Sequence, residues 1–118
     1  MSDLIRMEKQ GHVAVITIDN PPANTWTLES LNHLTSLIQN LNDDANIYAL
    51  VITGEGEKFF SAGADLKTFA SGDVGLANAM AQAFGRAFGE LSAFRGVSIA
   101  AINGYAMGGG LECALACD

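Results

Sequence analysis

The chain has few basic residues. Its 118 residues include six Lys and Arg against 13 Asp and Glu, so the formal net charge is -7 at pH 7. The basic residues are scattered along the sequence as Arg6, Lys9, Lys58, Lys67, Arg86 and Arg95. Nucleic-acid binding requires clustered positive charge to neutralise phosphates. The composition therefore argues against a nucleic-acid partner, and a polyanionic ligand would need local basic residues.

Cysteine and histidine are also scarce, with two of each. Cys113 and Cys117 stand four residues apart on an expected helix, while His12 and His33 are distant in sequence. This spacing predicts two reduced thiols and no metal site. The opening Met-Ser-Asp lacks the basic and apolar segments of a secretory signal. Together these features favour a reducing, cytoplasmic location.

Charge is almost absent from residues 97–117, where Glu112 is the one charged residue. A membrane span is nevertheless disfavoured, because four glycines, Asn103 and Glu112 would be costly in lipid. We interpret the stretch as a strand, a turn and a helix. With 49% hydrophobic and 16% charged residues, the whole chain has the composition of a folded protein rather than a disordered one.

Hydrophobic periodicity predicts an α/β chain in the order hairpin, helix, strand, helix, strand, helix. Residues 4–9 and 13–19 alternate apolar and polar side chains, as in a hairpin. Residues 48–53 form a continuous apolar run, which predicts a strand covered on both faces, and residues 97–103 form another. The first helix is expected after a Thr27 cap and the second after a cap in residues 71–73. The second helix carries an apolar stripe of Leu76, Met80, Phe84, Phe88, Leu91 and Phe94.

Three consecutive glycines, Gly108, Gly109 and Gly110, stand where the last helix should begin. Glycine in a helix costs about 0.5–1 kcal/mol relative to alanine, so the run indicates a need for bare backbone. The first N–H groups of a helix lack intrahelical partners and carry partial positive charge, so this end can form half of an oxyanion hole. Glu112, one turn inside, can lean back toward it. The alternatives are a tight turn and a carboxylate that only stabilises the helix end.

A second glycine-bearing loop follows an apolar run, with the sequence FFSAGADLK at residues 59–67. Together with AAINGYAMGGGLECALACD at residues 100–118, it resembles the enoyl-CoA hydratase/isomerase (crotonase) family in motif order and approximate separation. The segment VAVITIDNPPANTWTLESL at residues 13–31 is similar to the first hairpin and helix of that family. The resemblance covers essentially the whole chain from Ile5 to Asp118.

The resemblance implies an α/β fold of the crotonase type, a spiral of repeated strand-strand-helix turns. Residues 1–118 are then the N-terminal part of a single domain, and the C-terminal part lies outside this chain. Family members usually form trimers or pairs of trimers, so a homotrimer or hexamer is implied for the complete protein. Coenzyme A enters as part of a thioester substrate, and neither a metal nor a redox cofactor is implied.

The resemblance also assigns catalytic positions. The backbone N–H groups of Ala64 and Gly109 would hold the thioester oxygen on which negative charge develops during reaction. Glu112 matches one of the two catalytic glutamates of family hydratases, which position a water and move its proton. The second glutamate would lie beyond Asp118. Activity of the 118-residue chain itself is therefore a separate question from activity of a longer parent.

Residues bordering coenzyme A and the thioester are implied in the same loop. They are Ala62, Ala64, Asp65, Leu66 and Lys67, together with Gly109. Asp65 has a second interpretation, as the cap of a following short helix. Lys58 and Lys67 are candidates to contact the negatively charged groups of coenzyme A. The alternative is that they are ordinary solvated lysines.

Two further features have more than one interpretation. The Met and Phe stripe of the second long helix is interpreted as core, and alternatively part of it lines an acyl tunnel. Trp26 departs from the small aliphatic residues common in the family, and contact with the nucleotide end or with another subunit would explain it. Acyl-chain preference is left unassigned.

The function implied is hydration of a trans-2-enoyl-CoA in fatty-acid degradation. The alternative reactions within the family are double-bond isomerisation, thioester hydrolysis and decarboxylation. A noncatalytic fragment that binds acyl-CoA or a partner subunit is the alternative from another class. Dinucleotide binding is disfavoured, because residues 108–110 lack the required glycine spacing.

Overall fold

A computed structural model describes residues 3–70 and 72–118. These residues form six strands and four helices. In chain order they are β1 (Ile5–Gln10), β2 (Val13–Ile18), α1 (Leu28–Asn42), β3 (Ala49–Gly54), β4 (Phe59–Ser61), α2 (Leu66–Ala70), α3 (Val74–Ser92), β5 (Val97–Ala101), β6 (Tyr105–Ala106) and α4 (Gly109–Ala116). The predicted hairpin, helices and apolar strands are confirmed. The short strands β4 and β6 were not predicted, because two or three residues are too few to show a periodicity.

The strands form two sheets. In the larger one the order is β1-β2-β3-β5, with β1 antiparallel to β2 and the other two pairs parallel. Parallel neighbours require long crossover connections, and α1 and α3 lie in those connections. The smaller sheet pairs β4 with β6 in parallel. It therefore joins the two glycine-bearing segments that sequence motifs had singled out.

Helix starts follow the predicted capping chemistry. The Thr27 side chain accepts a hydrogen bond from the N–H of Ser30, and the Ser30 hydroxyl accepts one from the N–H of Thr27. This reciprocal pair satisfies two N–H groups at the start of α1. At α3, Asp73 Oδ1 accepts from the N–H of Leu76 at 3.1 Å. Ser71, the first residue of the cap predicted there, lies outside the described residues. Met1 and Ser2, which belong to the opening segment without a predicted secretory signal, lie outside them as well.

The core lies on one face of the larger sheet. Alternate residues of β2 and β3 are buried with the apolar faces of α1 and α3, which pack against each other. The cluster includes Ala14, Ile16, Ile18, Leu31, Leu34, Ile38, Leu50, Ile52, Met80, Ala83, Ala87 and Leu91. The opposite face of β3 is half-buried, so the prediction of a strand covered on both faces holds for one face.

Exposed apolar side chains collect where the chain ends. Val97 and Ile99 on β5 and Leu111 and Leu115 on α4 are all exposed. Because successive residues of a strand point to opposite faces, the outward side of β5 is apolar and uncovered while Ser98 faces inward and is buried. Among the described helices, none is both long and apolar enough to cross a membrane.

Candidate active site

Each of the three glycines at the start of α4 meets a different requirement. Gly108 caps the helix with φ 50°, a left-handed conformation that side chains rarely adopt. A methyl group on Gly109 would lie 2.8 Å from Cε1 of Phe84. A methyl group on Gly110 would lie 2.0 Å from the carbonyl oxygen of Ser61. The glycines therefore let α4 lie directly against β4 and α3, which confirms the need for bare backbone.

Gly110→Ala is expected to destabilise the chain by about 1–3 kcal/mol, because the new methyl group would collide with backbone that cannot rotate away. Gly89→Ala is the matched control, since a methyl group at Gly89 on α3 meets nothing within 4 Å. The control should gain about 0.5–1 kcal/mol from the higher helix propensity of alanine. Urea unfolding measures both. Equal stability of the two variants would contradict the close packing of α4 on β4.

The loop that ends in Asp65 lies against the start of α4. Gly63 has φ 100°, and a methyl group on it would lie 3.0 Å from the backbone nitrogen of Gly109. On its other side the loop is bonded to residues 23–26. The N–H of Trp26 donates to the carbonyl of Gly63 at 2.8 Å, and the N–H of Asp65 donates to the carbonyl of Trp26 at 3.1 Å. These two bonds bracket Ala64 and form a parallel β-bridge with it.

Two asparagine side chains hold the surrounding turns. Asn103 Nδ2 donates to the carbonyls of Gly56 and Phe59 at 2.8 and 3.0 Å, and its Oδ1 accepts from the N–H of Gly54 at 3.0 Å. Asn24, which is buried, donates to the same Phe59 carbonyl at 2.9 Å. Sequence reasoning gave these two residues no role. The position of each asparagine beside a predicted turn is the sequence feature that could have indicated this role, because a buried amide must find several hydrogen-bond partners.

Ala64, Gly109 and Glu112 line one cavity of about 330 Å³, together with Ala81 and Phe84 of α3. Within residues 3–70 and 72–118, the backbone N–H groups of Ala64 and Gly109 have no hydrogen-bond partner. The structure therefore brings together at one cavity the three residues predicted to be catalytic. Phe84 belongs to the apolar stripe, so part of that stripe lines the cavity while Met80 and Leu91 are core.

Glu112 lies in the first turn of α4, and its N–H donates to the carbonyl of Gly108 at 3.0 Å. Its carboxylate faces favourable partial charge from the helix N-terminus. Although the sequence around Glu112 is almost free of charge, the residue is exposed in the structure. The reason is that Leu111 beside it is exposed as well, so the apolar residues of this helix do not enclose the carboxylate.

The other predicted binding residues lie at the edge of this site. Ala62 is half-buried, and Leu66 and Lys67 are exposed, with Leu66 at 78%. Asp65 Oδ1 accepts a hydrogen bond from the N–H of Lys67 at 3.0 Å at the start of α2. The capping interpretation of Asp65 is therefore observed. Contact of these residues with coenzyme A stays a prediction.

Lys58, the other basic candidate, is exposed at the edge of a second and more open cavity of about 500 Å³. Glu57, Gly104 and Tyr105 line the same cavity. The Lys58 ammonium lies 5.8 Å from the ring centre of Phe59. An exposed side chain with an acidic neighbour is as expected for a solvated lysine, and a role toward a polyanion stays a prediction.

Trp26 is fully buried, so the expected contacts with a nucleotide or another subunit are wrong for this structure. Its ring packs edge-on against Phe88 at 5.8 Å between centres. Its backbone forms the bridge to Ala64. The position is buried because residues 23–26 run beneath the loop that carries Ala64, an arrangement that local sequence does not reveal.

The two cysteines are free thiols, with Cys113 buried and Cys117 half-buried. Burial raises the pKa of Cys113 far above its ordinary value, and it raises the pKa of Cys117 to about 11. Both are therefore protonated at neutral pH and poor metal ligands. In the described part of the chain, no three His, Cys, Asp or Glu side chains are grouped to hold a metal ion.

Comparison with known proteins places the chain in a family. The sequence model described as enoyl-CoA hydratase/isomerase matches residues 8–118, which is nearly the whole chain. This chain belongs to the enoyl-CoA hydratase/isomerase family, and its α/β architecture is part of the crotonase fold.

Among its relatives, "Probable enoyl-CoA hydratase echA8" of Mycobacterium bovis is 41% identical over 98% of this chain and 44% of that protein. Carnitinyl-CoA dehydratase of Escherichia coli K12 is 39% identical over 100% of this chain and 45% of that protein. The solved structure of Pseudomonas aeruginosa DspI is 65% identical, with a TM-score of 0.97 over 99% of this chain and 48% of that chain. This chain thus spans less than half the length of each.

Proposed function

We propose that this chain forms the oxyanion-binding part of an acyl-CoA site in an enzyme that adds water to a trans-2-enoyl-CoA in fatty-acid degradation. The observation that carries the proposal is the cavity lined by Ala64, Gly109 and Glu112, because the backbone N–H groups of the first two have no hydrogen-bond partner among the described residues. Because the relatives are more than twice as long, the proposal concerns the whole protein that contains this segment.

The two N–H groups suit a thioester carbonyl. When water adds to the β-carbon of an unsaturated thioester, the electron pair of the double bond moves toward the carbonyl oxygen, which becomes an enolate oxygen. Donors already fixed in position stabilise that charge without reorganising during reaction. Ala64 is held by its bridge to Trp26, and Gly109 is held at the first turn of α4. Neither donor is a side-chain atom, and the side chain at Gly109 matters only through its size, because a methyl group there would meet Phe84.

Glu112 supplies a proton-transfer group beside those donors. In the proposed reaction a carboxylate accepts a proton from the attacking water, whose oxygen bonds to the β-carbon, and a proton is then delivered to the α-carbon to complete the addition. Family hydratases use two glutamates for this, and the second is expected beyond Asp118. Glu112 lines the cavity at the same helix end as Gly109, which favours its role as one of the pair.

The reaction class is favoured by the relatives. One relative is named a hydratase and another a dehydratase, names for addition and removal of water. Both names specify coenzyme A thioesters. The proposed substrate of this chain's parent is accordingly a trans-2-enoyl-CoA, and the alternative family reactions are isomerisation, hydrolysis and decarboxylation.

The test is to incubate the protein with trans-2-butenoyl-CoA in oxygen-labelled water and to follow loss of enoyl-thioester absorbance. Hydration predicts a product heavier by one labelled water. A product without label would favour isomerisation, and free coenzyme A would indicate hydrolysis. The assay uses the 118-residue chain and any longer product of its gene. Binding without turnover by every form would favour the noncatalytic alternative.

A further inference from the structure

We propose that Trp26 is a positioning residue that sets the separation between the Ala64 and Gly109 N–H groups. The inference rests on the proposed function and adds a residue that no sequence motif assigned. It starts from the fact that a large aromatic residue with no exposed surface lies directly beneath the loop that carries one of the two donors.

The backbone of Trp26 fixes the first donor. Its N–H and carbonyl bond to Gly63 and Asp65, the residues on either side of Ala64. The peptide units flanking Ala64 are thereby both held, while the N–H of Ala64 itself is left unbonded in the described structure. Displacing Trp26 would displace this donor.

The ring of Trp26 reaches the second donor through packing. It contacts Phe88 edge-on with 5.8 Å between centres, and Phe88 contacts Phe84 at 5.5 Å. Phe84 in turn lies so close to Gly109 that a methyl group there would be 2.8 Å from the ring. Three aromatic rings therefore connect the support of Ala64 to the support of Gly109. Close-packed interiors transmit small displacements along such contacts.

The indole N–H of Trp26 is buried and has no hydrogen-bond partner among the described residues. An unpaired buried donor is unfavourable, so hydrogen bonding does not account for an indole at this position. The size and shape of the ring account for the indole at this position. A smaller residue would leave space under the loop, and Ala64 could move relative to Gly109.

The carbonyl stretching frequency of a bound enoyl thioester tests this directly. Hydrogen bonds from the two donors lower that frequency. If Trp26 only stabilised the fold, a Trp26 variant that remains folded would show the same frequency as the wild type. The full chain is saturated with trans-2-butenoyl-CoA labelled at the thioester carbonyl. Infrared difference spectra are then compared for the wild type, Trp26→Leu, Trp26→Phe and a control, Phe94→Leu. Phe94 is a buried aromatic residue beside Gly96, just beyond the C-terminal end of α3.

We expect a clear downshift in the wild type and in Phe94→Leu, a smaller one in Trp26→Leu, and partial rescue in Trp26→Phe. In a catalytically active form, Trp26→Leu should lose about 100-fold in kcat with a smaller change in KM, as expected for small misplacement of a reacting group. Where Trp26→Leu does not fold, Phe88→Leu interrupts the same aromatic series and should also reduce the downshift.

The outcomes separate the two claims. An unchanged downshift in folded Trp26→Leu, or in Phe88→Leu where that variant replaces it, overturns the positioning role and leaves the proposed function intact. A loss of downshift in Phe94→Leu equal to that in Trp26→Leu also overturns it, because any core truncation would then suffice. A wild type that binds the thioester without a downshift overturns the proposed oxyanion site and this inference with it.

Discussion

Glu112→Gln is expected to lower kcat for enoyl-thioester hydration by about 10²- to 10⁴-fold, the usual contribution of a positioned general acid or base. Glutamine keeps the size of the side chain and can still accept a hydrogen bond, but it cannot take a proton from water. Binding of the thioester should change little, because the two backbone donors remain. Steady-state kinetics with trans-2-butenoyl-CoA measure both quantities.

The matched control is Glu29→Gln. Glu29 is also an acid in the first turn of a helix, α1, and it is exposed. If Glu112 only stabilises its helix end, the free energy of unfolding should fall by a similar amount in both variants, about 0.3–1 kcal/mol. Both variants should then keep full activity. If Glu112 transfers a proton, only Glu112→Gln should lose activity. An unchanged kcat in Glu112→Gln would show that the carboxylate takes no part in the reaction.

Removing the Ala64 N–H without changing the side chain is expected to lower kcat by about 10²- to 10³-fold, the effect of losing one oxyanion donor. A backbone ester at this position, made by placing L-lactic acid in place of Ala64, does this. The 118-residue segment is short enough for assembly from synthetic peptides, which can then be ligated into a catalytically active form. KM should change less than kcat, because the charge on the carbonyl oxygen is largest in the transition state.

Two control esters isolate the donor. The ester at Ala64 also weakens the Gly63 carbonyl as an acceptor for the Trp26 N–H, so a second ester at Trp26 removes that same bond from the donor side. It should lower the free energy of unfolding by about 0.5–1.5 kcal/mol, the usual net value of one hydrogen bond. Any loss of kcat in this ester measures the effect of that bond, and the ester at Ala64 should lose more. A third ester, at Gly56 in the exposed turn after β3, weakens the Glu55 carbonyl as an acceptor for Asn24 Nδ2, so it should cost a similar amount of stability and leave kcat unchanged. Equal kcat for the Ala64 and Gly56 esters would contradict the role of the Ala64 N–H.

Local pattern was enough to predict the long elements of the fold. Strand β2 and helices α1 and α3 bury one face each, and a repeated apolar spacing is the direct consequence of that burial. The start of α4 was also predictable, because three glycines in sequence have few explanations other than close approach or unusual backbone.

What local pattern could not supply was the way distant segments meet. The β4-β6 pairing joins Phe59 to Tyr105, and the bridge joins Trp26 to Ala64, and neither pairing has a sequence spacing that marks it. The exposure of Glu112 also depends on whether anything covers α4, which is set by packing between elements and not by the residues beside Glu112. Trp26 was misjudged for the same reason, since its burial results from a segment placed beneath another loop.

A crystal structure with a bound, unreactive acyl-CoA thioester would locate the thioester carbonyl and so test the proposed oxyanion site. The carbonyl oxygen should lie about 2.7–3.1 Å from the backbone nitrogens of both Ala64 and Gly109, the range expected of an oxyanion hole, with Glu112 facing the acyl carbons. A carbonyl oxygen bound elsewhere, or held by only one of these nitrogens, would contradict the proposed site.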